Sequence, residues 1–133
     1  MLLWYNIAVF MGAIMKCNIK SMYLCVTNMD RAIEFYECFF EIPVLIRDEI
    51  YSVFDISGFR LGLFAFEKMH EDHCYGNNCL PSIDVENVDL LKQKLVGLKL
   101  VFPLKKIGAN WVSEFEDSEG NHIELTAPIV PEG

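Results

Sequence analysis

The chain has 133 residues, 53% of them hydrophobic, 13% aromatic and 23% charged, which suits one domain with its own core and excludes a disordered polar segment. Its formal net charge of −8 repels phosphate backbones and so excludes nucleic acid as the expected partner. Five cysteines, without a pairing pattern, fit a reducing cytoplasm better than a disulfide scaffold, and Cys25 and Cys38 within apolar periodic stretches read as small hydrophobes.

Residues 1 to 15 are apolar but carry no basic flank before the apolar run and are too short to cross a bilayer. They are expected to form an accessory element (1–19), packed at an interface, with secretion the alternative and Met11 or Met15 as alternative starts. Beyond it the chain alternates, with Met22, Leu24 and Val26 toward one side and Ser21, Tyr23 and Cys25 toward the other. Asn28 is placed to cap a helix and Asp30 to lie at its positive end. Met29, Ala32, Ile33 and Tyr36, with Phe35, Phe39 and Phe40, give that helix an apolar face, and Pro43 limits it. Strand-like runs follow at Pro43 to Arg47, Tyr51 to Ile56 and Arg60 to Phe66, the last two separated by a Ser57-Gly58 turn.

The same order then recurs. Val26-Thr27-Asn28-Met29-Asp30 returns 59 residues later as Val85-Glu86-Asn87-Val88-Asp89, again after an alternating run, here Pro81, Ile83 and Val85. Leu80, Ser82 and Asp84 oppose that run. Val88, Leu91 and Leu95 repeat the helix face, and Gly97 is a natural residue just past its end. Runs at Leu100 to Leu104, Asn110 to Phe115 and His122 to Ala127 complete the copy, with Pro103 marking an edge or a strand end. The predicted architecture is α+β: two tandem β-α-β-β-β modules (20–67 and 79–128) in a single domain over 20–128. Residues 68–78 join the modules, and 129–133 form a tail.

Two segments carry a family resemblance. One is Leu24-x-Val26-x-Asn28-x-Asp30-x-Ala32-x-x-Phe35-Tyr36. The other is Phe115-x-Asp117-Ser118-Glu119-Gly120-Asn121-His122-Ile123-Glu124-Leu125, similar to a terminal F-x-D-P-D-G-N-x-I-E-L pattern. Over 20–128 the chain resembles the vicinal oxygen chelate superfamily of glyoxalases, bleomycin-resistance proteins and extradiol dioxygenases. The resemblance implies a half-open barrel with helices outside, a ligand cleft inside and a homodimer.

It also implies positions for a divalent metal. Carried over one at a time, these fall on Ser21, Gly62, Leu80 and Glu124. Only Glu124 is a donor of the expected kind, and one carboxylate does not hold a catalytic ion. No cofactor is expected, although a metal at Glu124 stays open as the alternative.

The inward residues then read Tyr23, Phe64, Phe66, Asp84, Glu114, His122 and Glu124, with Gly62 leaving open space. Aromatic walls with carboxylates suit a flat, polar or cationic organic molecule, and the metal-free bleomycin-resistance members of the resembled family take cationic ones. The leading expectation is therefore a cytoplasmic binder of a small organic ligand. A metal-dependent lyase or dioxygenase with displaced ligands, and an effector-sensing or interaction domain, are the alternatives. If catalysis occurs, Glu124 is the candidate base, with His122 on the same strand face as its partner. Trp111 is read either as a stacker at the cleft mouth or as packing. His70, His73, Cys74 and Cys79 in the joining segment are competent zinc ligands, but their spacing matches no standard zinc pattern and a solvated connector is expected.

Overall fold

Asn28 and Asn87 open two helices in the way the repeat predicts. Each is extended, and its side chain accepts a hydrogen bond from the backbone three residues on: Arg31 N at 3.0 Å and Leu90 N at 2.8 Å. The helices are α1 (Met29–Phe40) and α2 (Val88–Leu95), in a computed structural model that describes residues 15–75 and 79–130. The first 14 residues lie outside it, and with them most of the expected accessory segment. Helix α1 ends on Glu41 in the left-handed conformation, and Gly97, with φ of +78°, follows α2 as predicted. Lys94 of α2 closes the C-terminus of α1, donating to the Phe39 carbonyl and pairing with Glu41, both at 2.7 Å.

The strands are β1 (Ser21–Cys25), β2 (Tyr51–Ile56), β3 (Phe59–Phe64), β4 (Ser82–Asp84), β5 (Lys99–Ile107), β6 (Asn110–Glu116) and β7 (His122–Pro128). They form two sheets, ordered β1-β3-β2 and β4-β7-β6-β5. In each sheet the first strand lies parallel to the last strand of its own half, while the remaining pairings are antiparallel. The two halves therefore share one strand order, and the α+β architecture of two tandem modules stands, with one strand of the first module reduced to a bridge. Among the described residues no helix is long and apolar enough to cross a membrane.

One expected strand is missing. Pro43 to Arg47, the counterpart of β5, makes a single bridge from Ile46 to Val53. Apart from Ile46, whose bond with Val53 is this bridge, its backbone donors build no ladder. Pro43 has none, Val44 donates to the Glu37 carboxylate at 3.0 Å, and Leu45 and Ile46 both donate to the Val53 carbonyl. The predicted run Arg60 to Phe66 also stops early, because Phe66 starts a short 3-10 turn (Phe66–Met69). In the second half β5 runs beyond its predicted limits, and Pro103 sits on the sheet edge within the register shift between Phe102 and Lys105.

The core draws on both halves. Ala32, Ile33 and Tyr36 of α1, Leu91 of α2, Phe54 and Leu63 of the first sheet, and Phe115, Ile123 and Leu125 of the second are fully or almost fully buried in one cluster. Leu24 and Val26 are buried while Tyr23 is exposed, so β1 faces as its alternation predicts. Trp111, partly buried, packs against this cluster. Cys38 is exposed on the outer side of α1, contrary to its reading as a small hydrophobe, and Cys25 is half-buried.

The turn between β6 and β7 fastens the halves together. Glu119 Oε1 accepts the backbone N–H groups of Thr27 and Asn28, each at 2.9 Å, and Arg31 Nε pairs with Oε2 at 2.6 Å. Burial pushes the Glu119 carboxyl up, but Arg31 and these two amides outweigh it and hold the group below the usual glutamate range. The buried Asp117 accepts the amides of Glu119 and Asn121 at 2.8 Å and the Tyr36 hydroxyl at 2.6 Å. There burial prevails, so the Asp117 carboxyl lies above its ordinary value despite these bonds. Burial, together with the Asp117 charge, also raises the Tyr36 phenol well above its own. The second family-like segment thus acts mainly as a clamp on α1.

Candidate ligand cleft

Strand alternation sends one face of each sheet to the core and leaves the other open. On the first sheet the open face carries Tyr23, Tyr51 and Phe64. Tyr23 meets Phe64 edge-on with ring centroids 5.4 Å apart, and Tyr51 lies 6.2 Å from Tyr23 and 6.3 Å from Phe64. Tyr23 is 54% exposed, so much of its ring is available to a ligand. Gly62 is paired with Tyr23 in the register, but it leaves no open space. A Cβ there would stand 2.1 Å from the Tyr51 hydroxyl oxygen, because the Tyr51 ring already covers the glycine. Tyr51 was absent from the expected inward set, since its place over residue 62 depends on cross-strand register.

The open face of the second sheet is polar. Glu114 lies opposite Glu124 in the register, Glu116 opposite His122, and Ser82 and Asp84 of β4 lie beside Glu124 and Thr126. His122 Nδ1 stands 3.0 Å from Glu114, and its Nε2 stands 3.5 Å from Glu116. Glu116 also pairs with Lys99 at 2.9 Å, and this hydrogen bond holds its carboxyl below the ordinary range.

Glu124 and His122, expected to act together, take different partners. The Ser82 hydroxyl donates to Glu124 at 2.7 Å, and that of Thr126 donates to Asp84 at 2.9 Å. His122 reaches diagonally across the strands to Glu114 and directly across to Glu116, while Ser82 of the neighbouring strand holds Glu124. The chemistry of this face is that of an imidazole held between carboxylates, able to orient and neutralise a cation or to accept a proton.

The two faces meet at one end. Tyr23 and Cys25 of β1, His122 of β7, and His73, Cys74 and Cys79 of the joining segment line a recess of about 360 Å³. Tyr75 anchors that segment by donating to the Glu119 carbonyl at 2.7 Å. Of the expected residues, Tyr23 and His122 reach this recess directly, with Phe64 and Glu114 next to them. Phe66 does not lie on the sheet face; its ring is 5.3 Å from that of His73. Asp84 instead borders a second, more apolar recess of about 540 Å³ between the sheets. His70 caps the 3-10 turn and is not among the residues lining the first recess.

The four family metal positions do not fit an ion. Ser21 is a weak donor, Gly62 is covered by Tyr51, Leu80 cannot coordinate, and Glu124 is bound to Ser82. Among the described residues no three His, Cys, Asp or Glu side chains are grouped to hold a metal as they lie.

No family model matches the sequence, and no curated protein does. Solved structures match throughout. A glyoxalase/bleomycin resistance protein/dioxygenase from Nocardioides is 15% identical, covering 99% of this chain and 96% of its own, with a TM-score of 0.72. A glyoxalase/bleomycin resistance protein/dioxygenase family enzyme from Burkholderia phytofirmans is 18% identical over 85% of this chain and 100% of its own, with a TM-score of 0.71. A lactoylglutathione lyase from Agrobacterium tumefaciens gives 15%, 84% and 94%, with a TM-score of 0.66. The chain therefore has the vicinal oxygen chelate fold of the glyoxalase, bleomycin-resistance and dioxygenase proteins. At these identities the likeness concerns the fold, and function has to be argued from the cleft.

Proposed function

We propose that this protein is a cytoplasmic, homodimeric glyoxalase- or bleomycin-resistance-like binder of a small, flat, cationic organic molecule, working without the family's catalytic metal set. One observation carries the reading: an exposed aromatic group (Tyr23, Tyr51, Phe64) adjoins a row of carboxylates around His122. Rings of this kind attract a cation through their faces, and carboxylates such as Glu114 complete the neutralisation. The net charge of −8 draws such ligands toward the chain.

The test is a thermal-shift screen of the whole protein with cationic antibiotics, thiols and divalent metals. A rise in Tm with a planar cation, weakened in both Tyr23→Ala and Glu114→Gln, is expected. The reading fails if no cation shifts Tm, or if neutral analogues shift it equally. Stoichiometric nickel, zinc, manganese or iron lost in Glu124→Ala would favour the alternative, a metal-dependent lyase or dioxygenase.

A further inference from the structure

The chain opens on a run that neither the core nor the cleft uses. Of its first 14 residues twelve are hydrophobic and none is charged, in a chain whose net charge is −8. Such a run gains free energy by leaving water, and the nearest cover is an apolar surface within reach of the same chain. Its point of attachment is defined. Residues 15–20 form no helix or strand, and Met15 and Ile19 are 75% and 85% exposed. The chain is then fixed at Lys20, whose carbonyl accepts the Arg60 amide at 3.0 Å just before β1 begins.

That attachment stands at the rim of the second recess, the one of about 540 Å³ between the sheets. Phe59, next to Arg60, and Met22, two residues past Lys20, both line it. Leu24, Leu61, Leu80 and Ile83 continue the wall, and Asp84 is the one charged residue on it. Phe59 and Leu80 stand outside the buried core cluster, so their apolar surface is not taken up by the core. The recess lies between β1 and β4, edge strands of different sheets, and it is open as it lies. Residues 15–19 can span up to about 17 Å, enough to turn back over the rim. The groove between the two helices, lined by Phe35 and Val96, suits this run less well. It carries Arg31, Glu34 and Lys94, which an uncharged segment would shield from water without pairing them.

We propose that residues 1–14 dock into the recess between β1 and β4 of their own chain. Three features converge: an uncharged apolar segment, an almost uncharged apolar wall, and an attachment at the edge of that wall. Docking covers Met22, Phe59 and Leu80 and joins the two sheets where no strand pairing does. It involves none of Tyr23, Tyr51, Phe64 or Glu114, so failure of the cation screen leaves it standing.

Trp4 reports on the segment once the chain's other tryptophan is removed by Trp111→Phe. In that full-length variant Trp4 is expected to emit at short wavelength and to resist acrylamide. Its quenching should rise about threefold when Leu80→Glu or Phe59→Glu places a charge on the recess wall. Val96→Glu, at an 80% exposed position on the helix groove, should change nothing. Chymotrypsin gives a readout that does not require Trp111→Phe to fold. Cleavage at Trp4, Tyr5 and Phe10 should be about tenfold slower in the wild-type chain than in Leu80→Glu or Phe59→Glu. The buried Tyr36 and Phe54 should stay uncut in all three, which separates release of the segment from unfolding. The proposal is overturned if Trp4 is freely quenched in the full-length chain, if neither recess variant changes quenching or cleavage, or if Val96→Glu acts as strongly. Protection that disappears on dilution also overturns it, because the segment then docks on a second copy.

Discussion

The two halves share a strand order, yet their open faces have opposite chemistry. The first presents the rings of Tyr23, Tyr51 and Phe64. The second presents Glu114, Glu116, His122 and Glu124. The repeated residues, Asn28 with Asn87 and Tyr36 with Leu95, serve caps and core in both. What repeats builds the scaffold; what differs lies where a ligand would touch. The halves also differ in completeness, since the strand that closes the second sheet as β5 is reduced to one bridge in the first. The first half makes up for this by borrowing Glu119 and Asp117 from the second.

The largest expected effects come from breaking that loan. Tyr36→Phe leaves the buried Asp117 carboxylate without its side-chain hydroxyl donor and should cost about 2–3 kcal/mol, read from urea unfolding. Glu119→Ala frees two amides at the start of α1 and should cost about 2 kcal/mol, with the loss showing first in amide exchange along α1. If α2 loses protection equally, the clamp does not belong to the first half.

The pH dependence sharpens the same point, because the two carboxylates have opposite signs. Glu119 is held below its unfolded value, so its contribution is full above that value and lost as pH falls through the lower folded one. Asp117 is held above its unfolded value, so its contribution is full at low pH and lost as pH rises through the folded one. Glu119→Gln should flatten the acid limb of a plot of Tm against pH, and Asp117→Asn should steepen it. The same change of slope in both would refute the assignment.

Smaller effects compare the halves directly. Asn28→Ala and Asn87→Ala should each cost about 1 kcal/mol, measured by thermal unfolding, with Asn28→Ala the milder because Glu119 still serves the same helix end. The smallest is Gly62→Ala. The new methyl meets the far end of the half-exposed Tyr51 ring, which can swing away, so stability should change by less than about 1 kcal/mol. The aromatic group would be disturbed, and binding of a planar cation should weaken while the caps and core stay intact.

The parts of this molecule legible in the sequence are those governed by local periodicity. Asn28 and Asn87 announce the helices, alternation in β1 separates Leu24 from Tyr23, and Gly97 marks a helix end. The strand expected at Pro43 to Arg47 fails because Val44 bonds to the Glu37 side chain and Leu45 shares the Val53 carbonyl with Ile46, choices that the apolar pattern of the run does not show. Phe66 has the apolar pattern of a strand residue but falls where the chain turns into a 3-10 helix. In the cleft, residue types were readable and partnerships were not. That Glu114 rather than Glu124 meets His122, that Tyr51 covers Gly62, and that Cys25 shares a recess with Cys74 all depend on register between strands far apart in sequence.

The Glu119 clamp also bears on how the chain comes into being. Asn28 and the glutamate that serves its amide are separated by 91 residues, and Tyr36 and Asp117 by 81. A ribosome making this chain releases all of α1 long before it adds the turn that fastens it. During synthesis the first half stands with its three-stranded sheet already emitted, but with the start of its helix unclamped and its tyrosine still without an acceptor. Folding must then wait for the closing turn, as expected of a fold whose decisive contacts are remote in sequence. Ribosome-bound chains stalled before residue 117 should expose α1 to proteases, and protection should arrive abruptly once the turn has emerged.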